Sequence, residues 1–284
     1  MKIDRRELLG SVLGGVLLSV LGPRGLAVAA PKIRIAGCDW SLGKAGDPAS
    51  FALAREAGLD GVEISCGNPK DALPLAGPDR LKTFREASEK SGLPVASTCL
   101  EVLHRDPLKS HADAPKWVGQ AIEPARQLGA KMILLPAFFK NSYDTREEQQ
   151  VVADRLKELA PRAEKAGVVL GLENVLPAED NAWILDRVGS PAVKVYYDVE
   201  NPVEIKKYDP VRELALLGKD RLGQIHLKDK APVFGEGRID FPKVIETILK
   251  TGFEGWLVIE TYQTPKDVKG VFSKNAAFIR NLLG

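Results

Sequence analysis

Cysteine and histidine are scarce in this 284-residue chain, with three of each. The cysteines, at 38, 66 and 99, are too few for a disulfide scaffold, and their spacing is not that of a zinc knuckle. With His104, His111 and His226 as its only imidazoles, the chain has no site built mainly from histidine. Long basic tracts are missing and the formal net charge is only +2, which argues against nucleic-acid binding by phosphate neutralisation. No apolar run reaches the roughly 18 residues of a membrane span. The first expected strand is followed by Gly37-Cys38-Asp39-Trp40 rather than a G-x-G-x-x-G turn, which argues against a dinucleotide-binding doubly wound sheet.

What is present suffices for a packed core: 44% of the residues are hydrophobic. From residue 31 onward, short β-type runs alternate with amphipathic segments. Strands are expected at 33–38, 61–65, 94–99, 131–136, 168–174, 193–198, 223–228 and 256–261. Helical patterns follow at 49–57, 80–90, 115–128, 145–166, 181–188, 210–217, 241–251 and 268–283. Several are stopped by a glycine such as Gly58, Gly129, Gly167 or Gly252. Eight strand–helix beats in about 250 residues predict an α/β fold, a single (β/α)8 TIM barrel over residues 31–284.

Residues 1–30 read as an address. Arg5-Arg6-Glu7-Leu8-Leu9, a short glycine-containing apolar stretch ended by Pro23-Arg24, and Ala27-Val28-Ala29 look like a twin-arginine export signal with a small-residue cleavage site. An amphipathic N-terminal helix is the plainer alternative. The segment carries Lys2, Arg5, Arg6 and Arg24 against Asp4 and Glu7, so it accounts for the whole net charge of +2. The expected location is the periplasm or another exported compartment, with no stable membrane insertion after cleavage. Export of a folded protein suits a domain that acquires its cofactor beforehand.

In such barrels the chemistry lies at the C-terminal strand ends. The last four strands end in, or carry near their ends, Glu173, Asp198, His226 and Glu260, at separations of 25, 28 and 34 residues, one βα unit each. Adjacent strands lie about 4.8 Å apart, so four inward side chains at one level converge. Singly, each has an ordinary structural reading: a solvated strand end, an N-cap, a core histidine, a salt-bridge partner. Together, three carboxylates at one point repel strongly, and one divalent cation resolves the conflict. The oxygen-rich donor set favours Mn²⁺ or Mg²⁺, and the imidazole also admits Co²⁺ or Zn²⁺.

These residues resemble the xylose isomerase-like TIM-barrel family, often called sugar phosphate isomerases/epimerases. The resemblance rests on Gly58-Leu-Asp-Gly-Val-Glu63, Leu172-Glu173-Asn174, Tyr197-Asp198-Val-Glu-Asn201, His226-Leu-Lys228-Asp229, Gly235-Glu-Gly237-Arg-Ile-Asp240-Phe241 and the Glu260 strand. It implies Glu173, Asp198, His226 and Glu260 as metal ligands, Glu173 and Glu260 as the proton-exchanging pair, and Glu179, six residues after the first ligand, as a sugar contact. Two positions depart from the family's keto-sugar 3-epimerases: Asn201 stands where they carry histidine and Pro232 where they carry arginine. The general reaction class therefore carries over better than 3-epimerisation itself.

The implied activity is that of an exported, metal-dependent sugar isomerase or epimerase working by proton abstraction next to a carbonyl. A keto-glycoside lyase or hydrolase using the same enolisation, and a non-catalytic sugar-binding barrel, are the alternatives. The partner is a small sugar or keto-sugar; a homo-oligomer stays open. Lys228, Asp229, Glu63, Asn201, Trp40 and His104 are further candidates for substrate contact, with Phe138 and Phe139 as apolar walls and residues 101–115 as a lid. The three cysteines read as packing residues away from the metal.

Overall fold

Strands that are apolar on both faces must be covered on both, which in a parallel sheet means helices outside and, if the sheet closes, side chains within. The computed structural model describes residues 33–284; the export-signal reading of residues 1–30 lies outside them. Eight parallel strands close a barrel in chain order: β1 Ile33–Cys38, β2 Gly61–Ser65, β3 Val95–Cys99, β4 Met132–Pro136, β5 Val169–Glu173, β6 Val193–Asp198, β7 Leu222–Leu227 and β8 Gly255–Ile259. β2, β3 and β4 are buried at every position. The ring is sealed by β1 pairing with β8 from Ile33↔Gly255 to Gly37↔Ile259.

Around the barrel run α1 Ser50–Glu56, α2 Pro78–Ser91, α3 Ala114–Gln127, α4 Arg146–Ala166, α5 Ala178–Val188, α6 Asn201–Lys206, α7 Pro210–Arg221, α8 Phe241–Thr251 and α9 Val268–Leu283. Local chemistry fixes their ends. Thr145 and Glu148 form a reciprocal capping box on α4, and left-handed Gly167 stops it. The Asp240 carboxylate accepts the Lys243 N–H at the start of α8. Several of the sequence expectations shift: α7 runs on to Arg221 and β8 ends at Ile259, before Glu260. α5 begins three residues earlier, just past Pro177, and α6 was not anticipated because a six-residue helix is too short to display a 3.6-residue period. Among the described residues, no helix is long and apolar enough to cross a membrane.

Alternation along each strand divides the core in two. Outward side chains pack under the helices. Inward ones, among them Ala36, Met132, Tyr196, Trp256 and Val258, fill the barrel. At its lower end Trp256 is capped by the Arg34 guanidinium, 3.9 Å from the ring centroid. Above it, Met132 reaches across from β4, and a Cβ at Gly171 would stand 2.6 Å from its sulfur and 3.2 Å from Tyr196 Cβ. The Met132 methyl lies equally tightly over Gly223, so it cannot swing aside.

This predicts that Gly171→Ala overpacks the interior and lowers stability by about 1–3 kcal/mol. A urea midpoint unchanged from wild type would show that Met132 yields.

Candidate metal centre and active site

Barrel register brings four chemistry-bearing side chains to one level. Glu173 and Asp198 are the last residues of β5 and β6, His226 pairs with Asp198 across β6 and β7, and Glu260 directly follows β8. One ligand atom from each lies within 4.8 Å of the others. His226 Nδ1 stands 2.8 Å from Glu173 Oε1, 3.4 Å from Glu260 Oε2 and 3.9 Å from Asp198 Oδ2.

The carboxylates are held from behind. Asp198 Oδ1 accepts the backbone N–H groups of Glu200 and Asn201, both at 2.7 Å. Its other oxygen, Oδ2, is buried and has no hydrogen-bond partner among the described residues. Trp40 Nε1–H donates to Glu260 Oε1 at 3.2 Å, and Lys228 Nζ lies 3.2 Å from Oε2. Burial pushes the Asp198 carboxyl up to about 7 and Glu173 upward too. At Glu260 burial is outweighed by Lys228 and His226, which hold its pKa down. Burial also works against charge on His226, but the anions around it prevail and raise its pKa. A buried, unpartnered carboxylate oxygen and an imidazole nitrogen aimed at the same three acids fit a divalent ion.

Beneath this level the other imidazole nitrogen is committed. His226 Nε2 lies 3.2 Å from Glu63 Oε2, which also accepts the Tyr196 hydroxyl at 2.5 Å. Gln224 Nε2 donates to Tyr196 and to Ser97 Oγ, so a polar chain crosses the barrel interior. Carboxylate pairing of this kind fixes the tautomer and orientation of a ligating histidine. Cys38, expected away from the site, lies against it with Sγ 3.5 Å from Nε2. Its burial raises the thiol pKa and leaves it a packing group.

Above this level opens a cavity of about 580 Å³, and of the four residues Glu173 and Glu260 line it, while Asp198 and His226 lie beneath its wall. Of the further candidates, Trp40, His104, Asn201 and Lys228 line it, as do Phe138 and Phe139. Glu179, Asp229 and Glu63 do not. Glu179 sits on the outer first turn of α5, where Arg212 draws its carboxylate outward at 2.5 Å. Asp229 turns into the β7–α8 loop and accepts the N–H groups of Lys230, Arg238 and Ile239. Glu63 acts from beneath, through His226. His111 pairs with Asp106 at 3.7 Å, off the cavity wall.

The sequence matches the xylose isomerase-like TIM barrel family over residues 51–282. The chain belongs to that family. It is 29% identical to the 2-epi-5-epi-valiolone 7-phosphate 2-epimerase of an Actinoplanes species over 203 residues, 71% of this chain and 74% of that one. It is also 29% identical to the L-ribulose-5-phosphate 3-epimerase of Salmonella heidelberg over 240 residues, 75% and 81% of the two chains. Among solved structures, an L-ribulose 3-epimerase superposes with a TM-score of 0.74 at 20% identity, covering 88% of this chain and 94% of that one. The 3-keto-D-glucoside 4-epimerase of E. coli gives 0.72 at 19%, covering 89% and 100%. These two likenesses are of fold. As a member of this family, with epimerases as its relatives, the chain is an enzyme of the isomerase class.

Several wall residues of this family member carried no sequence signal. Glu101 reaches over from the β3 loop to accept the N–H groups of Cys66 and Gly67 at 3.1 and 2.7 Å. Tyr262 lies between Lys228 and Lys230, whose ammonium groups are 4.5 and 4.3 Å from its ring centroid, and its hydroxyl donates to Glu200. The fully buried Glu200 also takes Arg238, which in turn bridges to Glu204. The β6, β7 and β8 loops are thereby tied together through one buried carboxylate.

Removing Arg238 leaves Glu200 short of its counter-charge. Arg238→Ala is expected to cost about 2 kcal/mol, below the usual figure for a broken buried pair because this arginine is partly in water and Tyr262 still donates. Glu200→Gln in the same background recovers most of it in thermal unfolding. Additive losses would mean the pair contributes nothing as a pair.

Proposed function

We propose that the chain is an exported, divalent-metal-dependent sugar epimerase or isomerase, with the ion held by Glu173, Asp198, His226 and Glu260. The observation that carries the reading is the buried convergence of these four groups, with Asp198 Oδ2 left without a partner. The donor set makes Mn²⁺ the first candidate, ahead of Mg²⁺, Co²⁺ and Zn²⁺. A divalent ion there supplies Lewis-acid polarisation of a substrate carbonyl, which acidifies the neighbouring C–H.

The remaining work belongs to the chain. Glu173 and Glu260 stand three strands apart around the barrel, on β5 and at the end of β8, and so reach a bound sugar from different sides. One carboxylate takes the proton from the carbon next to the carbonyl. The other returns a proton to that carbon from the opposite face, which inverts it. Return by the same carboxylate to the former carbonyl carbon on the same face, with the hydroxyl proton passing from one sugar oxygen to the other, instead exchanges aldose for ketose. Trp40 and Lys228 fix the two Glu260 oxygens, so the carboxylate keeps its aim without reorganising. Glu63 and Tyr196 do the same for His226. The epimerase names of the relatives support the reaction class.

Two measurements test this. Purified protein is expected to hold about one divalent ion per chain, reduced in Glu260→Gln, and in D2O to place deuterium next to the carbonyl of at least one ketose. Glu173→Gln is expected to slow that exchange by about 10²–10⁴-fold. Failure to bind any of the four ions, or no exchange across a panel of ketoses and their phosphates, overturns the proposal. Export rests on Arg5-Arg6 and the small-residue site at 27–29. Residues 1–30 fused to a folded reporter are expected to send it out of the cytoplasm, and Arg5→Lys with Arg6→Lys to retain it. Retention by the unaltered segment removes export from the proposal.

A further inference from the structure

We propose that the β3 and β4 side of the cavity mouth is a second subsite, built for a neutral pyranose ring joined glycosidically to the sugar that reacts at the metal centre. The inference rests on the proposed function for the reacting ring and adds the class of molecule that carries it.

The first observation is Phe139. It follows β4 on the cavity wall with 76% of its surface in water, and its backbone takes φ 53°. Exposure of a large aromatic and a left-handed backbone at a non-glycine residue are each unfavourable. Held strain of this kind gathers where a ligand is met.

The second is that the segment around Phe139 is locked. Asn141 is buried and its Nδ2 donates to the carbonyls of His104 and Leu103, at 2.6 and 3.3 Å. Lys109 Nζ donates to the Ser142 carbonyl at 2.6 Å and to Glu148 at 2.7 Å. The His104 ring stacks over Phe138 with 6.3 Å between centroids and 26° between planes. Burial lowers the His104 pKa, so the ring meets a ligand as a neutral face. The loops after β3 and β4 therefore hold His104 and Phe138 as a stacked pair, with Phe139 following on the same cavity wall from a fastened backbone. The C–H face of a pyranose packs on such a surface and leaves its hydroxyls to the polar rim.

The third is charge. Both lysines on the wall are engaged, Lys228 with Glu260 at 3.2 Å and Lys230 with Glu204 at 2.9 Å. The other charged wall groups include the carboxylates of Glu101 and Glu204. Among the described residues of the wall, a phosphate ester would find both lysines already paired and the Glu101 carboxylate beside them, whereas the two curated relatives named above carry phosphate in their substrates' names. A neutral second ring meets no such penalty. The cavity, at about 580 Å³, has room for more than one six-carbon sugar and lies within the range that takes drug-sized ligands.

The test is calorimetric titration of the Mn²⁺-loaded protein with glucose, glucose 6-phosphate, cellobiose, maltose and sucrose, in wild type and Phe139→Ala. At least one disaccharide is expected to bind about tenfold more tightly than glucose, glucose 6-phosphate no more tightly, and the disaccharide-to-glucose ratio to fall close to one in the variant. Disaccharides no tighter than glucose, a preference that survives Phe139→Ala, or a gain for the phosphate ester each overturn the subsite. Deuterium exchange on the same preparation separates the two proposals. Exchange without a disaccharide preference removes the subsite and keeps the reaction. The preference without exchange keeps the subsite on a barrel that does not catalyse.

Discussion

The constraint on which the rest depends is electrostatic: Glu173, Asp198 and Glu260 surround one imidazole nitrogen inside a protein. Charges in such a place are sustained only by partners with good geometry. Each visible support follows from that demand. Two backbone N–H groups hold one Asp198 oxygen, Trp40 and Lys228 hold Glu260, and Glu63 holds the far side of His226. Among the described residues two buried carboxylate oxygens here lack a hydrogen-bond partner, Glu63 Oε1 beneath the imidazole and Asp198 Oδ2, which lies with His226 Nδ1 and the other two acids at the centre. The centre is thus left with a surplus of acceptors that an ion would take up.

The barrel makes that arrangement available. Two-residue alternation lets β6 carry Tyr196 and Asp198 on one face, and β7 carry Gln224 and His226. The polar chain from Ser97 to His226 and the ligands above it are successive levels of the same stack. A one-residue slip of either strand would move all of these outward together. The glycines below, Gly171 and Gly223, let Met132 fill the interior from one strand, leaving the upper level to polar groups.

How much of this could be read in the sequence depended on how local each signal was. Barrel, strand positions and the four convergent residues were legible because each recurs once per βα unit, and a repeat survives small errors of boundary. Family resemblance added roles but misled at Glu179, since spacing along the chain does not reveal that Pro177 starts a helix and Arg212 waits on the next one. Asp229 likewise looks like a site residue by position, yet its oxygens are spent on three backbone N–H groups. Cys38, Glu101, Glu200 and Tyr262 were out of reach. Their importance comes from contacts across 30 to over 180 residues of chain, between two strands for Cys38 and from loops without periodicity for the others.

The two halves of the cavity mouth differ in kind, and the topology explains why. Loops after β6, β7 and β8 follow three of the ligands and must balance their charge, so they are rich in acids and bases knotted through Glu200. Loops after β3 and β4 follow strands outside the four-residue cluster. Their charges are settled on their own side, Arg105 with Asp106 and Lys109 with Glu148, and toward the cavity they show His104, Phe138 and Phe139 beside Glu101, with Asn141 fastening the segment to the backbone of the neighbouring loop. A substrate lying across the mouth therefore meets fixed charge where bonds change and fixed apolar surface where they do not. Binding energy gathered on the second side costs the first nothing in electrostatic balance, which is the condition under which remote contacts help to position a reacting group.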